Sequence, residues 1–432
     1  MNGTNGKCTQ AGMHCAPGLL DAPQMQAAFE RELGCSFKDC RIVRAKLRPG
    51  RNCLLTYRLR LSNDEEQLFS LLAFGNGESA ERFALAQQST FVSAAVGKAL
   101  FQLPEFDAVV WAFPNDRKLR GLPVLTNAEK LMDVLPEVIA KAFGEEWRIV
   151  ALASEVVSYV AERACTVRAT LNLSNSRTGA TALQTLFGKT YCEGEGDAVW
   201  QAMQWLWRQQ RFLIPRPLWF QPRINTLWQQ GLAGRTLDTF DGEELCGWLA
   251  KAGATLAEVH RLDVCSWSFR EAVCPLEALA AAEDLLVCAA PAGGQKLRLL
   301  VGRLTESFGK IQRQPAAILH GDLHLKNFFA TDGRVALIDW DNVCAGDPLQ
   351  ELGSFAASLY DRGADAETFL GSFVEAYCAA SGWEDPTSAL VWHTAAALIY
   401  ERAQRYVLRL NSDAPRVVDG LIERALVLIE KL

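Results

Sequence analysis

The chain has 432 residues, 49% hydrophobic and 22% charged, with a formal net charge of −6. That length exceeds one ordinary core, so two or three domains are expected in a soluble globular protein, and the negative balance excludes a nucleic-acid or anionic-membrane partner held by bulk electrostatics. Thirteen cysteines and five histidines are present, but no C-x-x-C pair occurs. A zinc site is therefore not expected, and the cysteines read as free, buried thiols of a reducing compartment. There is no apolar leader, and no uncharged apolar stretch reaches the ~18 residues a membrane span needs. The cytoplasm is the expected location.

Residues 1–20, rich in Gly, Asn and Thr, read as a disordered tail. APQMQAAFEREL (22–33) has the spacing of a short amphipathic helix. CLLTYRLRL (53–61) and QLFSLLAF (67–74) alternate as strands around the turn SNDEE, which predicts a hairpin. A similar unit returns at ACTVRATLNL (164–173) and ALQTLFGKTY (182–191). Arg51-x-Cys53 and Arg163-x-Cys165 open the two copies, Leu59-x-Leu61 and Leu171-x-Leu173 close their first strands, and Ser-Asn begins both turns. This frame predicts an internal duplication. The segment 76–145 between the copies reads as helix and loop, with a polar connector at 113–123. DAVWQAMQWLWRQQ (197–210) places Val199, Met203 and Leu206 on one helical face. Three more helices are expected over 242–313, then a β-rich patch at 317–339, then helices to the end. Strands early, helices late and a polar β insert predict a two-lobed α+β protein.

The insert reads AAILHGDLHLKNFFATDGRVALIDWDNVCAGDP (316–348). Two short strands joined at Thr331-Asp332-Gly333 would bring Asn327 near Asp339, with Asp322 at the mouth of the preceding loop. Phosphoryl transfer needs such a set. One carboxylate orients the acceptor hydroxyl and takes its proton, while a second carboxylate and an amide oxygen suffice for Mg²⁺, which keeps several waters.

His320-x-Asp322-x4-Asn327, followed by Ile338-Asp339-Trp340 and Gly346-Asp347-Pro348, resembles the signature of the aminoglycoside phosphotransferase and choline kinase-like superfamily. The resemblance implies a protein-kinase-like fold, ATP or GTP with Mg²⁺ as cofactors, Asp322 as catalytic base, and Asn327 and Asp339 as metal ligands. It implies a structural His320 that bonds backbone near the metal loop, and His324 and Asp341 as candidates for lining the site. Lys189, in LFGKTY, matches the family's phosphate-binding lysine on the returning strand. Phe74 is read as its counterpart in the first hairpin, which leaves that copy without a phosphate-binding cation. TLWQQGLAG (226–234) resembles the hinge between lobes, where backbone near Gln230 and Leu232 would meet adenine. The turn Ala161-Glu162-Arg163 stands where a phosphate-covering loop is expected. His260 is expected to be a buried histidine satisfied by backbone. The chain departs from the family at Glu351-Leu352, where Asp-Leu is usual, and α-helix 197–210 lacks an interior acid to pair with Lys189; Glu193, Glu195 and Asp197 lie at its start.

The expected organisation is a tail (1–20), an N-terminal α+β module (21–145) that is a degenerate copy of the small lobe, a kinase N-lobe (146–230) and a helical C-lobe (231–432). The expected function is ATP-dependent phosphorylation of a hydroxyl on a sugar, amino sugar or related metabolite. The alternative is a catalytically retired kinase-like protein that binds a nucleotide or partner, and the N-terminal module is a candidate surface for a protein partner. Residues 335–385 hold ten acidic residues and one basic residue, Arg362. They read as a solvated helical face in preference to a cleft for a cationic acceptor.

Overall fold

Asp21 fixes the first helix: its carboxylate accepts from the Gln24 N–H at 3.0 Å and starts α1 (Ala22–Leu33), satisfying one of the orphan donors of the first turn. The computed structural model describes residues 17–430 apart from 267, 361, 362, 364 and 385. Most of the expected tail, and Arg362, lie outside the described residues. Pro17–Leu20 form a 3-10 turn. Leu19 is buried there, and its carbonyl accepts from the Tyr57 hydroxyl at 2.6 Å.

Two units emerge. One contains the chain to Trp200 with Pro217–Gly231 and Leu408–Leu410; the other contains Gln201–Arg216, Leu232–Val407 and the residues from Asn411 onward. In the first unit α1 is followed by β1 (Phe37–Arg48), β2 (Asn52–Leu61), β3 (Glu66–Ala73), α2 (Ser79–Ala86), β4 (Leu100–Leu103) and β5 (Ala108–Ala112). After the short α3 (Leu122–Leu125), the series runs α4 (Ala128–Phe143), β6 (Trp147–Val160), β7 (Ala164–Asn175), β8 (Thr181–Tyr191), α5 (Gly196–Gln209), β9 (Pro217–Gln221) and β10 (Thr226–Gln230). The sheets have orders β1-β2-β3-β5-β4 and β6-β7-β8-β10-β9. Helix, three strands, helix and two strands thus occur twice in one order.

The register repeats in detail. Phe37 pairs with Leu61 and Asp39 with Arg60 across a bulge; Ile149 pairs with Leu173 and Ala151 with Asn172 across another. Asp107 and Asn225 are both left-handed and both precede the last strand of their sheet. Cys53 pairs with Ala73 and Cys165 with Thr190, so the next rows are Leu54–Leu72 and Thr166–Lys189. The counterpart of Lys189 is therefore Leu72, which corrects the expected Phe74. Leu72 is buried, so the first sheet has no cation at that place.

Each sheet buries one face under its preceding helix. Met25 and Phe29 of α1 pack with Leu55, Tyr57 and Leu71, and Leu131, Leu135 and Val138 of α4 pack with Val167, Ala169 and Leu186. The expected hairpins lie at β2–β3 and β7–β8. Strands β4 and β5 stand in a segment expected to be helix and loop. All five residues of β5 are buried, so the period-two signal that marks a half-exposed strand is missing. On α5, Val199, Met203 and Leu206 are buried as the spacing predicts.

The second unit takes the part of α5 from Gln201 onward, then β11 (Arg235–Thr236), α6 (Gly242–His260), α7 (Pro275–Ala289) and α8 (Gly294–Phe308). Strands β12 (Ala317–Leu319), β13 (Phe328–Thr331), β14 (Arg334–Leu337) and β15 (Cys344–Gly346) follow, and α9 (Pro348–Tyr360), α10 (Ala366–Ser381), α11 (Thr387–Ala397), α12 (Gln404–Leu408) and α13 (Ala414–Ile429) complete the chain. Helices α6 and α10 approach closely at Gly253, where a Cβ would lie 2.2 Å from the Phe373 carbonyl. Phe328 of the hairpin packs on Phe355 and Phe373, with ring centroids at 5.5 and 6.0 Å. The β insert therefore rests on an aromatic floor supplied by α9 and α10. Among the described residues, the buried cysteines Cys40, Cys165 and Cys344 carry free thiols. Among the described residues, no helix is long and apolar enough to cross a membrane.

Candidate active site

The turn Asp332-Gly333, with both residues at positive φ, closes β13 onto β14, where Thr331 pairs with Arg334 and Phe328 with Leu337. That is the backbone of a two-residue hairpin. One step beyond the ladder, the Ile338 N–H donates to the Asn327 carbonyl at 2.9 Å. The chain segments carrying Asn327 and Asp339 are thus tied together, as the spacing predicts. Asn327 is buried and its Nδ2 donates to the Asp322 carbonyl at 2.8 Å. With the amide nitrogen committed, Oδ1 is the end suited to a hard cation. Asp339 adopts φ 65°, ψ 60°, a left-handed conformation costly for a non-glycine residue and concentrated at functional sites. Its carboxylate lies at an exposed position, and Asp322 is half-buried.

His320 is fully buried. Its Nε2 bonds to the Ile338 carbonyl at 2.8 Å, and its ring lies 4.7 Å from that of Trp340. It thus ties the Asp322 loop to the Asp339 segment. His324 is half-buried. Burial pushes its pKa down, opposed by the charges of Asp322 and Asp339 and helped by His320 and Arg405. Asp341 sits in the 3-10 turn Trp340–Asn342 directly after Asp339. Asp347 precedes α9 and its Oδ1 accepts from the Leu349 N–H at 3.0 Å, a helix-capping role.

Lys189 and Gln230 lie on adjacent strands of the first unit, in the rows Lys189–Leu227 and Gln230–Leu186. Lys189 lies 5.6 Å from the Tyr191 ring centroid. The preceding Gly188 is required because a Cβ there would enter the Trp228 ring at 2.7 Å. Gln230 ends β10, Gly231 donates to the Thr185 carbonyl at 2.8 Å, and Leu232 follows in an irregular segment. Of the acids near α5, Glu193 pairs with Arg120 at 3.5 Å on the surface, and the Glu195 N–H donates to the Cys192 carbonyl at 3.2 Å.

Residues 193–392 match the family model of the Phosphotransferase enzyme family. The match spans a little under half of the chain, and over that span the chain is similar to that family. No curated protein matches the chain. Among solved structures, a Ralstonia eutropha JMP134 protein assigned to the aminoglycoside phosphotransferases is similar at 16% identity and TM-score 0.50, over 71% of this chain and 98% of its own. A Cryptosporidium parvum choline kinase is similar at 10% identity and TM-score 0.50, over 71% of this chain and 96% of its own. These likenesses concern the fold. The family match supports a phosphotransferase acting on a hydroxyl of a small molecule.

Two acids of the phosphotransferase segment and its C-terminal neighbour were not assigned a site role by sequence. Glu351, noted only as a departure from Asp, is buried. It accepts from the His320 N–H at 3.1 Å and the Gly321 N–H at 2.7 Å, and bonds to His260 Nε2 at 3.0 Å. Burial works against its charge, but the bonds and charges of His260, His320 and Gly321 outweigh it and hold the carboxyl below its usual range. His260 Nδ1 bonds to the Tyr377 hydroxyl at 2.8 Å. His260 is therefore buried as expected but satisfied by side chains, not backbone. Of the other acids over 335–385, Asp365, Glu367, Glu375 and Glu384 are exposed, as a solvated face requires.

Glu401 lies in the segment Leu398–Ala403, which winds as a π-helix, a form frequent at functional sites. Its Oε1 accepts from the Ser354 hydroxyl at 2.6 Å. Desolvation, helped by the charges of Asp322 and Glu351, pushes its carboxyl up to about 7 against Ser354 and Arg405. The only local signal was an acid inside the apolar run ALIYERA. A raised folded pKa stabilises the fold below the unfolded value, and that contribution is lost as pH rises through about 7. The slope is roughly 1.4 kcal/mol per pH unit across the window. Glu401→Gln should flatten the stability profile between pH 4.5 and 7, measured by urea unfolding. An unchanged slope would exclude this acid as the cause.

Gly321 has φ +81°, and a Cβ there would lie 2.1 Å from the Asn342 carbonyl. Gly321→Ala should destabilise the protein by more than about 2 kcal/mol in denaturant melts, because backbone must move on the Asp339 side of the site.

Proposed function

We propose that the chain transfers the γ-phosphoryl group of ATP, held with Mg²⁺, to a hydroxyl of a sugar, amino sugar or related small metabolite. The carrying observation is the Asn327–Ile338 main-chain bond, which sets the candidate ligand pair Asn327 and Asp339 beside the Asp322 loop. Asp322 would accept the acceptor hydroxyl's proton as its oxygen bonds to phosphorus and the bond to the leaving phosphate oxygen breaks. Asn327 Oδ1 and the Asp339 carboxylate would hold the magnesium. Bound there, the ion would offset charge on the phosphates. The donor set fits: two hard oxygens suit an ion that keeps most of its waters. Among the described residues no group of three or more His, Cys, Asp or Glu could hold a metal, and the proposed pair does not require one. Lys189 would contact the α- and β-phosphates, and backbone near Gln230 and Leu232 the adenine edge. Asp197 is the one acid within α5 and the candidate to orient Lys189.

In this reading 146–230 is the small lobe, 231–432 the helical lobe, and 21–145 a degenerate copy of the small lobe. The repeated element order and shared bulge support the duplication, and Leu72 in place of a lysine supports the loss of catalytic use. The fold likeness to a choline kinase adds amino alcohols to the acceptors worth assaying.

The test is ATP turnover with a panel of sugars, amino sugars and choline analogues, with and without EDTA. At least one acceptor should be phosphorylated, and chelation should abolish the reaction. Nucleotide binding that is indifferent to Mg²⁺, with no turnover on any acceptor, would favour the retired-kinase alternative.

A further inference from the structure

The face of the first sheet that carries Leu72 opens into a cavity of about 740 Å³, within the ~300–1,000 Å³ typical of small-molecule sites. Leu72, Phe74 and Trp111 supply apolar walls. The charged lining is one-sided: Arg48, Arg51, Arg82, Arg117 and Lys118 face a single carboxylate, Glu78. Glu78 is taken by Arg82 at 3.0 Å. Arg51 and Lys118 make no ion pair among the described residues. On the same cross-strand row as Leu72 stands Lys46, whose ammonium is pushed to lower pKa first by burial and then by Arg48, Arg163 and Arg44. Cations crowd here against their mutual repulsion, which an anion would relieve.

The location follows from the repeat. The β1–β2 turn, with Gly50 left-handed, matches the β6–β7 turn, with Glu162 left-handed, and the cavity lies on the face where the second sheet carries Lys189. Arg48 and Arg117 belong to both places. While lining the cavity they hold the buried Glu162 carboxylate at 3.0 and 2.6 Å. The Glu162 N–H in turn donates to Asp116 at 2.9 Å.

We propose that this cavity is a second anion site, built for a phosphate-bearing small molecule, and that its occupancy alters the β6–β7 turn through the two arginines shared with Glu162. The apolar walls take the organic part of the ligand and the five cations its phosphate. A ligand phosphate competes with Glu162 for Arg48 and Arg117, so binding and turn mobility are linked. The binding itself does not depend on the catalytic reading; only the consequence for phosphate covering does.

The test uses the full chain carrying Lys189→Ala with Asp339→Ala, so that the candidate catalytic residues cannot answer for the cavity. Inorganic pyrophosphate is titrated by calorimetry at low salt, with hydrogen exchange followed at residues 160–164. Saturable binding is expected, weakened at least tenfold by Arg51→Ala with Lys118→Ala, two exposed positions whose loss leaves the fold intact. Exchange at Glu162 and Arg163 should change on binding. Tighter binding of ADP than of glucose 6-phosphate would assign a nucleotide, and the reverse a phosphorylated sugar. No saturable binding at millimolar pyrophosphate, or equal affinity in the double variant, would overturn the site. Binding without any exchange change at the turn would overturn the coupling.

Discussion

Asp322→Ala is expected to lower the turnover number by about two to four orders of magnitude, the usual contribution of a positioned general base. The substitution removes the carboxylate but keeps the Asp322 carbonyl, which is the group that holds Asn327 Nδ2. The loop and its amide ligand should therefore persist, and the unfolding midpoint should change little. Because Asp322 is not one of the proposed metal ligands, Mg²⁺-dependent nucleotide affinity should also be retained. Asp339→Ala provides the contrast: it should weaken Mg²⁺-dependent nucleotide binding as well as turnover. Single-turnover kinetics and nucleotide titrations on the two variants separate the roles. An Asp322→Ala protein that turns over within a few-fold of the parent would remove Asp322 from the chemistry.

The largest stability effect is expected at Glu351. One carboxylate collects the His320 and Gly321 N–H groups and His260 Nε2, so its removal strands several buried donors at once. Glu351→Ala should cost about 3–5 kcal/mol, the range for removing one partner of a buried charged pair. Glu351→Gln keeps an acceptor without the charge and should cost less, about 1–3 kcal/mol. The carboxyl is held below its ordinary value of 4.5. Its contribution is therefore full above that pH and fades as pH falls through the lower, folded value. Guanidinium unfolding from pH 7 down to pH 3 should show the parent losing more stability than Glu351→Gln across the acid limb. Parallel curves would mean the charge contributes nothing to holding the Asp322 loop. Glu351→Asp restores the charge on a shorter arm, and only partial recovery is expected.

What could be read from the chain was local. The β-branched and aromatic content of CLLTYRLRL marks a strand, the alternation of its later counterpart marks a half-buried one, the 3.6-residue spacing of Val199, Met203 and Leu206 marks a helix face, and Asp332-Gly333 marks a two-residue turn. Each signal lies within a window of some ten residues, where side-chain periodicity reports burial directly. The order His320, Asp322, Asn327, Asp339 also carried the proposed site, because a tight hairpin converts the spacing of Asn327 and Asp339 into proximity of their chain segments. Partners distant in sequence were not legible. The pairing of Leu72 with Leu54 and Val109 depends on inter-strand register, and β5 has no alternation because both of its faces are covered. Glu351 became an anchor only when folding brought His260, His320 and Gly321 to one carboxylate. Sequence fixes which groups can hydrogen-bond, whereas tertiary packing decides which of them lose water together and must therefore satisfy one another.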